Sequence, residues 1–279
     1  MKRTIKLVAA MSLAGVLAAC GGGGGGDPAP AAANPAPATP APTPTAVANT
    51  GTVSAKFVPG TTPRYLLLGT TLQVSGPATP NVQDAAGVMT TLGTNTLTGS
   101  PTTTLEIAGD AAYAQGRWVQ GTVTTGSGAS TLTGTSNNAA FHYIAYNALA
   151  ALPTSTPAAL VCSAARLTAP TYLSGGAVGV ATTTGTATGT ATLSFSAAGA
   201  AVSVTVNGTA SGSSGLVTGS ATVTAPIASN ITGSFLGGGA GTQLTVADGG
   251  AGKYLVVAGY KVALANGALH QGVTSYLCQ

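Results

Sequence analysis

Apolar positions in the last third of the chain recur at every second residue. Leu193 and Phe195 alternate with Thr192, Ser194 and Ser196; beyond Ala198-Gly199 the pattern resumes with Val202, Val204 and Val206 against Ser203, Thr205 and Asn207. Period two places successive side chains on opposite faces of a strand, and the glycine between the runs predicts a hairpin. The series continues through Val217-Gly219-Ala221-Val223, Ile231-Gly233-Phe235 and Leu244-Val246. A longer strand follows at 253–264, with Tyr254, Val256, Ala258, Tyr260 and Val262 on one face, and a last one at 273–278. Strands spaced about 8 to 12 residues apart predict an antiparallel meander. Such a meander forms either a sandwich or a closed barrel, and so few charges guard the edges that closure into a barrel of about eight strands is the more economical expectation, with a membrane-spanning barrel as the rival.

The stretch 51–157 predicts a further β region, with strands at 53–58, 64–74, 103–107, 117–125, 130–133 and 141–145. A long loop or partly ordered excursion is expected at 77–95, and the one helix-compatible run is 146–151. A soft boundary at 153–157 separates this region from the barrel-like part, 158–279. The fold class expected is therefore all-β.

The first fifty residues follow different rules. Lys2, Arg3 and Lys6 precede a short apolar run ending at Ala19, which reads as an export signal, too short to span a bilayer. Leu17-Ala18-Ala19-Cys20 resembles the lipobox of bacterial lipoproteins. That resemblance implies removal of residues 1–19 and lipidation of Cys20; the rival is an ordinary secretory signal with an incidental cysteine. Gly21, not aspartate, follows the cysteine, and the resemblance to Gram-negative lipoproteins then implies the outer membrane. Six glycines and a proline-rich tract then make residues 20–50 a flexible, extended tether.

Within the carboxy-terminal meander, Ala191-Thr192-Leu193-Ser194-Phe195 and the later Thr232-Gly233-Ser234-Phe235-Leu236-Gly237-Gly238-Gly239-Ala240 are similar to the eight-stranded barrel of transferrin-binding protein B and factor H-binding protein-like surface lipoproteins. The resemblance covers about residues 185–265 and the first twenty. It implies a barrel behind a lipid tether and a surface-interaction role, but carries no binding residue across.

Charge and cysteines narrow the classes. Without the leader, six basic residues (Lys56, Arg64, Arg117, Arg166, Lys253, Lys261) face five acids (Asp27, Asp84, Glu106, Asp110, Asp248). No basic cluster points to nucleic acid. With Cys20 lipidated, Cys162 and Cys278 remain as the pair for a disulfide in an oxidising compartment, free thiols and a metal pair being the alternatives.

Chemistry is sparse. His142 and His270 are the two histidines, and neither a Gly-x-Ser-x-Gly elbow nor a zinc or calcium motif is present. Phe141-His142-Tyr143-Ile144-Ala145-Tyr146 is the local cluster of interest: His142, Tyr143 and Tyr146 are candidate ligand residues, with haem as the conceivable cofactor. On a strand His142 and Ile144 share one face and Phe141, Tyr143 and Ala145 the other, which suits ordinary packing equally well. Arg117 and Trp118 could join a contact surface, although a lone tryptophan in a strand is more often core. The expectation is a non-enzymatic, outer-membrane-anchored binding or surface-interaction module that needs no cofactor. The alternatives are a carrier of a small hydrophobic ligand or haem, and a secreted hydrolase.

Overall fold

A computed structural model describes residues 48–70, 72–134, 139–155, 160–163, 165–176, 184–223 and 244–279. Cys20, the tether to residue 47, and the expected strand and glycine-rich motif at 231–240 lie outside the described residues.

The described residues form seventeen strands. The first nine are β1 (Gly51–Val53), β2 (Pro63–Leu68), β3 (Gln73–Pro77), β4 (Asn81–Gln83), β5 (Met89–Leu92), β6 (Asn95–Gly109), β7 (Tyr113–Thr125), β8 (Gly128–Thr133) and β9 (Phe141–Ala148). After them come β10 (Arg166–Leu167), β11 (Thr171–Gly175), β12 (Thr186–Ser196), β13 (Gly199–Ala210), β14 (Ser213–Val223), β15 (Leu244–Asp248), β16 (Tyr254–Ala263) and β17 (Ala268–Cys278). Fourteen share one sheet whose path runs β10-β17-β16-β15-β9-β7-β6-β5-β4, with β2 on the other edge of β9. The sheet is antiparallel except where β1 lies parallel to β6, and β12-β13-β14 form a separate antiparallel sheet.

Among the described residues no closed barrel is present, and the C-terminal strands divide between the two sheets. The reason lies in β16. The face with Val256, Ala258, Tyr260 and Val262 packs against Val202, Val204 and Val206 of β13. Its other face, Leu255 and Val257, packs with Leu66, Leu68, Ile144 and Tyr146 of β2 and β9. Both faces are apolar, so the strand needs cover on both sides, and burial of each such side chain contributes about 1.5 to 3 kcal/mol. The opposite face of β2 and β9, with Leu67, Tyr143 and Ala145, closes a third cluster around Trp118, Met89 and Leu92. The large sheet also crosses residues 153–157: β15 pairs with β9 through Ala247 opposite Ala148 and Asp248 opposite Asn147.

Glycine-rich strands remain regular because tyrosines lie across them. Tyr143 stands opposite Gly116, and a Cβ on that glycine would come within 2.6 Å of the tyrosine hydroxyl. Tyr260 covers Gly272 in the same way, with a Cβ placed 2.5 Å from its hydroxyl, and Tyr65 lies opposite Gly76. The aromatic ring supplies the packing the glycine lacks.

Several local expectations change. Residues 146–151 hold no helix, since Tyr146 pairs with both Arg64 and Tyr113. The run 64–74 folds back as the β2–β3 hairpin, with Leu68 opposite Gln73. Of the two expectations for 77–95 the partly ordered one holds, since the stretch contains β4 and β5, and only the first residue of 53–58 is in a strand. The disulfide is present: Cys162 and Cys278 are joined at 2.04 Å and pair across antiparallel backbones.

Candidate functional site

Among the polar side chains buried in the described residues, one group gathers beside β9. Alternation along β9 sends Phe141, Tyr143 and Ala145 into one core and Ile144 and Tyr146 into the other. His142 is fully buried. Its Nδ1 lies 2.7 Å from the Thr168 hydroxyl and its Nε2 lies 2.7 Å from the Thr171 hydroxyl. A neutral imidazole has one donor and one acceptor nitrogen, and a hydroxyl serves either. Thr168 is itself anchored on β17, accepting the Val273 N–H at 3.0 Å, and its carbonyl accepts the Tyr260 hydroxyl at 3.0 Å. Burial, and then the nearby Arg117 charge, hold the His142 pKa well below the ordinary 6.5.

Arg117 stands opposite His142 across the β7–β9 ladder and is 3% exposed. Its Nε and Nη2 donate to the two carboxylate oxygens of Glu106, each at 2.7 Å. Glu106 has a positive φ of 51° where the β6–β7 register shifts between Leu105 and Ala108. That kink turns its carboxylate toward Arg117, and its Oε2 also accepts the Ala169 N–H at 3.3 Å. The seam continues to Ser275, whose hydroxyl donates to Gln115 at 2.9 Å, and to Gln271, which donates to the Gly69 carbonyl at 2.9 Å. Cross-strand hydrogen bonds of this kind fix which strands meet, while among the described residues Gln115 Nε2 and Gln271 Oε1 in the same seam are left without a partner.

The structure separates the sequence candidates. His142 and Tyr146 lie on one face of β9, and Tyr143 lies on the other, where its hydroxyl accepts the Met89 N–H at 3.3 Å and its ring packs 5.3 Å from Trp118. Both His142 nitrogens are occupied by threonine hydroxyls. His270 is buried elsewhere, its ring edge-on to Tyr172 at 5.8 Å. Thr171 and His142 have nucleophile-to-base spacing, but Thr171 is only 1% exposed and Thr168 not at all. Arg117 and Trp118 are interior residues, not a contact surface: Trp118 is fully buried and donates its Nε1–H to the Met89 carbonyl at 2.8 Å. Burial won because their neighbours on β7 are packed on both faces.

Thr168, Thr171 and Glu106 were not among the sequence candidates. No short-range pattern marks them, since the two threonines lie 26 and 29 residues from His142. The lone arginine just before Trp118 was the nearest signal.

Hollows at the described surface are shallow and open. One of about 430 Å³ lies on the outer face of the three-stranded sheet, lined by Thr192, Ser194, Ala201, Ser203, Ser220 and Thr222. Another, of about 240 Å³, lies between Gly69, Leu72, Leu173, Lys261 and Gln271. Among the described residues no three His, Cys, Asp or Glu side chains gather as a metal site, and no helix is long and apolar enough to cross a membrane. Comparison with protein-family models, with curated proteins and with solved structures finds no match.

Proposed function

We propose that the chain is an outer-membrane lipoprotein, held by lipid on Cys20, whose all-β part is a non-enzymatic surface-interaction module of the transferrin-binding protein-like type. One observation carries this reading: the groups with chemical potential are locked inside, whereas the exposed strand faces are neutral and open. In the interior His142 is held by Thr168 and Thr171, and Arg117 is held by Glu106. The Cys162–Cys278 disulfide supports a compartment outside the cytoplasm. Barrel closure of the C-terminal strands belongs to the same proposal and requires additional pairing on both edges of the three-stranded sheet, of β14 with β15 and of β12 with β10 or β11.

The test is metabolic labelling with an alkyne fatty acid, followed by density-gradient separation of inner and outer membranes. The labelled chain should sediment with the outer membrane, and Cys20→Ala should abolish both label and membrane association. An unlabelled, freely soluble wild-type chain would overturn the anchor. Native mass spectrometry of the same purified protein should show no co-purified haem or lipid in the fold; a reproducible bound mass would transfer the reading to a carrier.

A further inference from the structure

Burial of Thr171 and His142 bars an external substrate from them, but not one supplied by the chain itself. Thr171 on β11 stands directly opposite Gln271 on β17. Opposite residues of an antiparallel pair share a face, with Cβ atoms about 4.5 to 5.5 Å apart. That face is turned to β2 and β9: Thr171 reaches His142, and Gln271 Nε2 donates to the carbonyl of Gly69, the residue after Leu68, which is itself paired with His142. A hydroxyl, an imidazole and a carboxamide thus converge in one buried corner. We propose that Thr171 and Gln271 join in an ester cross-link that forms within the folded chain, with His142 as the base.

The hydrogen bonds set the imidazole for that role. The Thr168 hydroxyl donates to the Val273 carbonyl at 3.4 Å, so it accepts both the Val273 N–H and the Nδ1–H of His142. The His142 Nε2 is then left with a lone pair, which accepts the Thr171 hydroxyl at 2.7 Å. Burial keeps this imidazole unprotonated at neutral pH, as a base must be.

In the reaction the His142 Nε2 takes the Thr171 proton while Oγ1 bonds to Cδ of Gln271, and the carbonyl electron pair moves onto Oε1. When that pair returns, the Cδ–Nε2 bond of Gln271 breaks and His142 hands the proton to the departing nitrogen. One ester and one ammonia result, and no oxidant, reductant or water takes part. Among the described residues Gln271 Oε1 has no hydrogen-bond partner. Lys261, opposite Gln271 on β16, brings a positive charge to the side on which that oxygen becomes negative. Lys261 and Gln271 also line the hollow of about 240 Å³, which gives ammonia an exit. Reactants fixed in this way meet at effective concentrations far above any in solution. With Cys162–Cys278, the ester holds β17 covalently at two points. The inference goes beyond the surface-module reading and does not depend on acylation of Cys20.

The test is tryptic digestion of the purified full chain, reduced and alkylated, followed by mass spectrometry. Residues 167–253 and 262–279 should travel as one branched species, lighter than their sum by one ammonia and separated by mild alkali. Thr171→Val and Gln271→Met should each release the two peptides, whereas Thr171→Ser should keep them joined. His142→Gln should slow bond formation by about 100-fold or more. Far-ultraviolet circular dichroism establishes that each variant keeps its fold, and Gln271→Met tests the other end of the bond should Thr171→Val fail to fold. Separate peptides from folded wild type would overturn the proposal, as would a branched species that persists in either folded variant. So would loss of ammonia within an uncut peptide 254–279, which assigns the bond to Lys261 instead. Each result is separate from the labelling experiment on Cys20.

Discussion

The Nδ1 atom of His142 and the hydroxyl of Thr168 stand 2.7 Å apart in the interior, joining β9 to the connection between β10 and β11. Because burial and Arg117 depress the folded pKa of His142, the unfolded chain takes up this proton first as pH falls. The contribution to stability is complete above the unfolded value of about 6.5 and is lost as pH drops through the interval down to the folded value. Urea midpoints measured between pH 7.5 and 5 should therefore decrease. His142→Gln should flatten that part of the profile while costing about 1 to 3 kcal/mol at neutral pH, because buried partners lose their bond. A variant with the wild-type pH slope would show that other groups govern the acid limb.

Arg117 and Glu106 form the ion pair next to this histidine. Glu106→Gln leaves a guanidinium that is 3% exposed without its counter-charge. The expected loss is about 3 kcal/mol, the lower end for breaking a buried pair, since Glu106 keeps 28% of its exposure. Arg117→Met combined with Glu106→Gln should be more stable than either loss alone predicts. Chemical denaturation of the four proteins measures that coupling directly, and strict additivity would mean that the pair contributes nothing.

Cys162→Ser with Cys278→Ser should lower stability by about 4 to 5 kcal/mol in the chain-entropy treatment, given a sequence separation of 116. Incubation of the wild type with reductant should produce the same fall in denaturation midpoint. If the reduced and oxidised proteins unfold together, segment 160–163 is held on β17 by its backbone hydrogen bonds alone.

Gly272→Ala should cost about 1 to 3 kcal/mol, the range for overpacking a filled interior. The added methyl meets Tyr260, whose ring is fully buried and whose hydroxyl is bound to the Thr168 carbonyl. In a Tyr260→Leu background the same alanine should cost markedly less. Equal penalties in both backgrounds, read from thermal midpoints, would assign the cost to the backbone and not to the ring.

Strands with one solvated face were legible. β12, β13 and β14 alternate cleanly because Ser and Thr face water while Leu193, Phe195 and the valines face the core. The tyrosine face of β16 was visible for the same reason, but burial of Leu255 and Val257 on its reverse was not, because a second covering layer comes from distant β2 and β9. β4 and β5 were hidden by length: strands of three and four residues among turn formers give no period. The β2–β3 reversal has few conventional turn residues, and the continuous apolar run before it reads as one strand. At the site, the face shared by His142 and Ile144 followed from alternation. The threonine partners did not, since a connection between short strands brings them in, and the arginine's partner depends on a kink at Glu106 that no local signal announces.

β17 is the last strand in chain order, yet it pairs with β16 along one edge and with β10 and β11 along the other. The earlier strands therefore lack a central neighbour until residues 268–278 emerge. Order of emergence then matters: a chain delivered amino terminus first presents β10, β11 and β16 before the element that joins them. Completion of the sheet then waits for residues 268–278, and the strands on either side of β17 stay unjoined until that segment arrives.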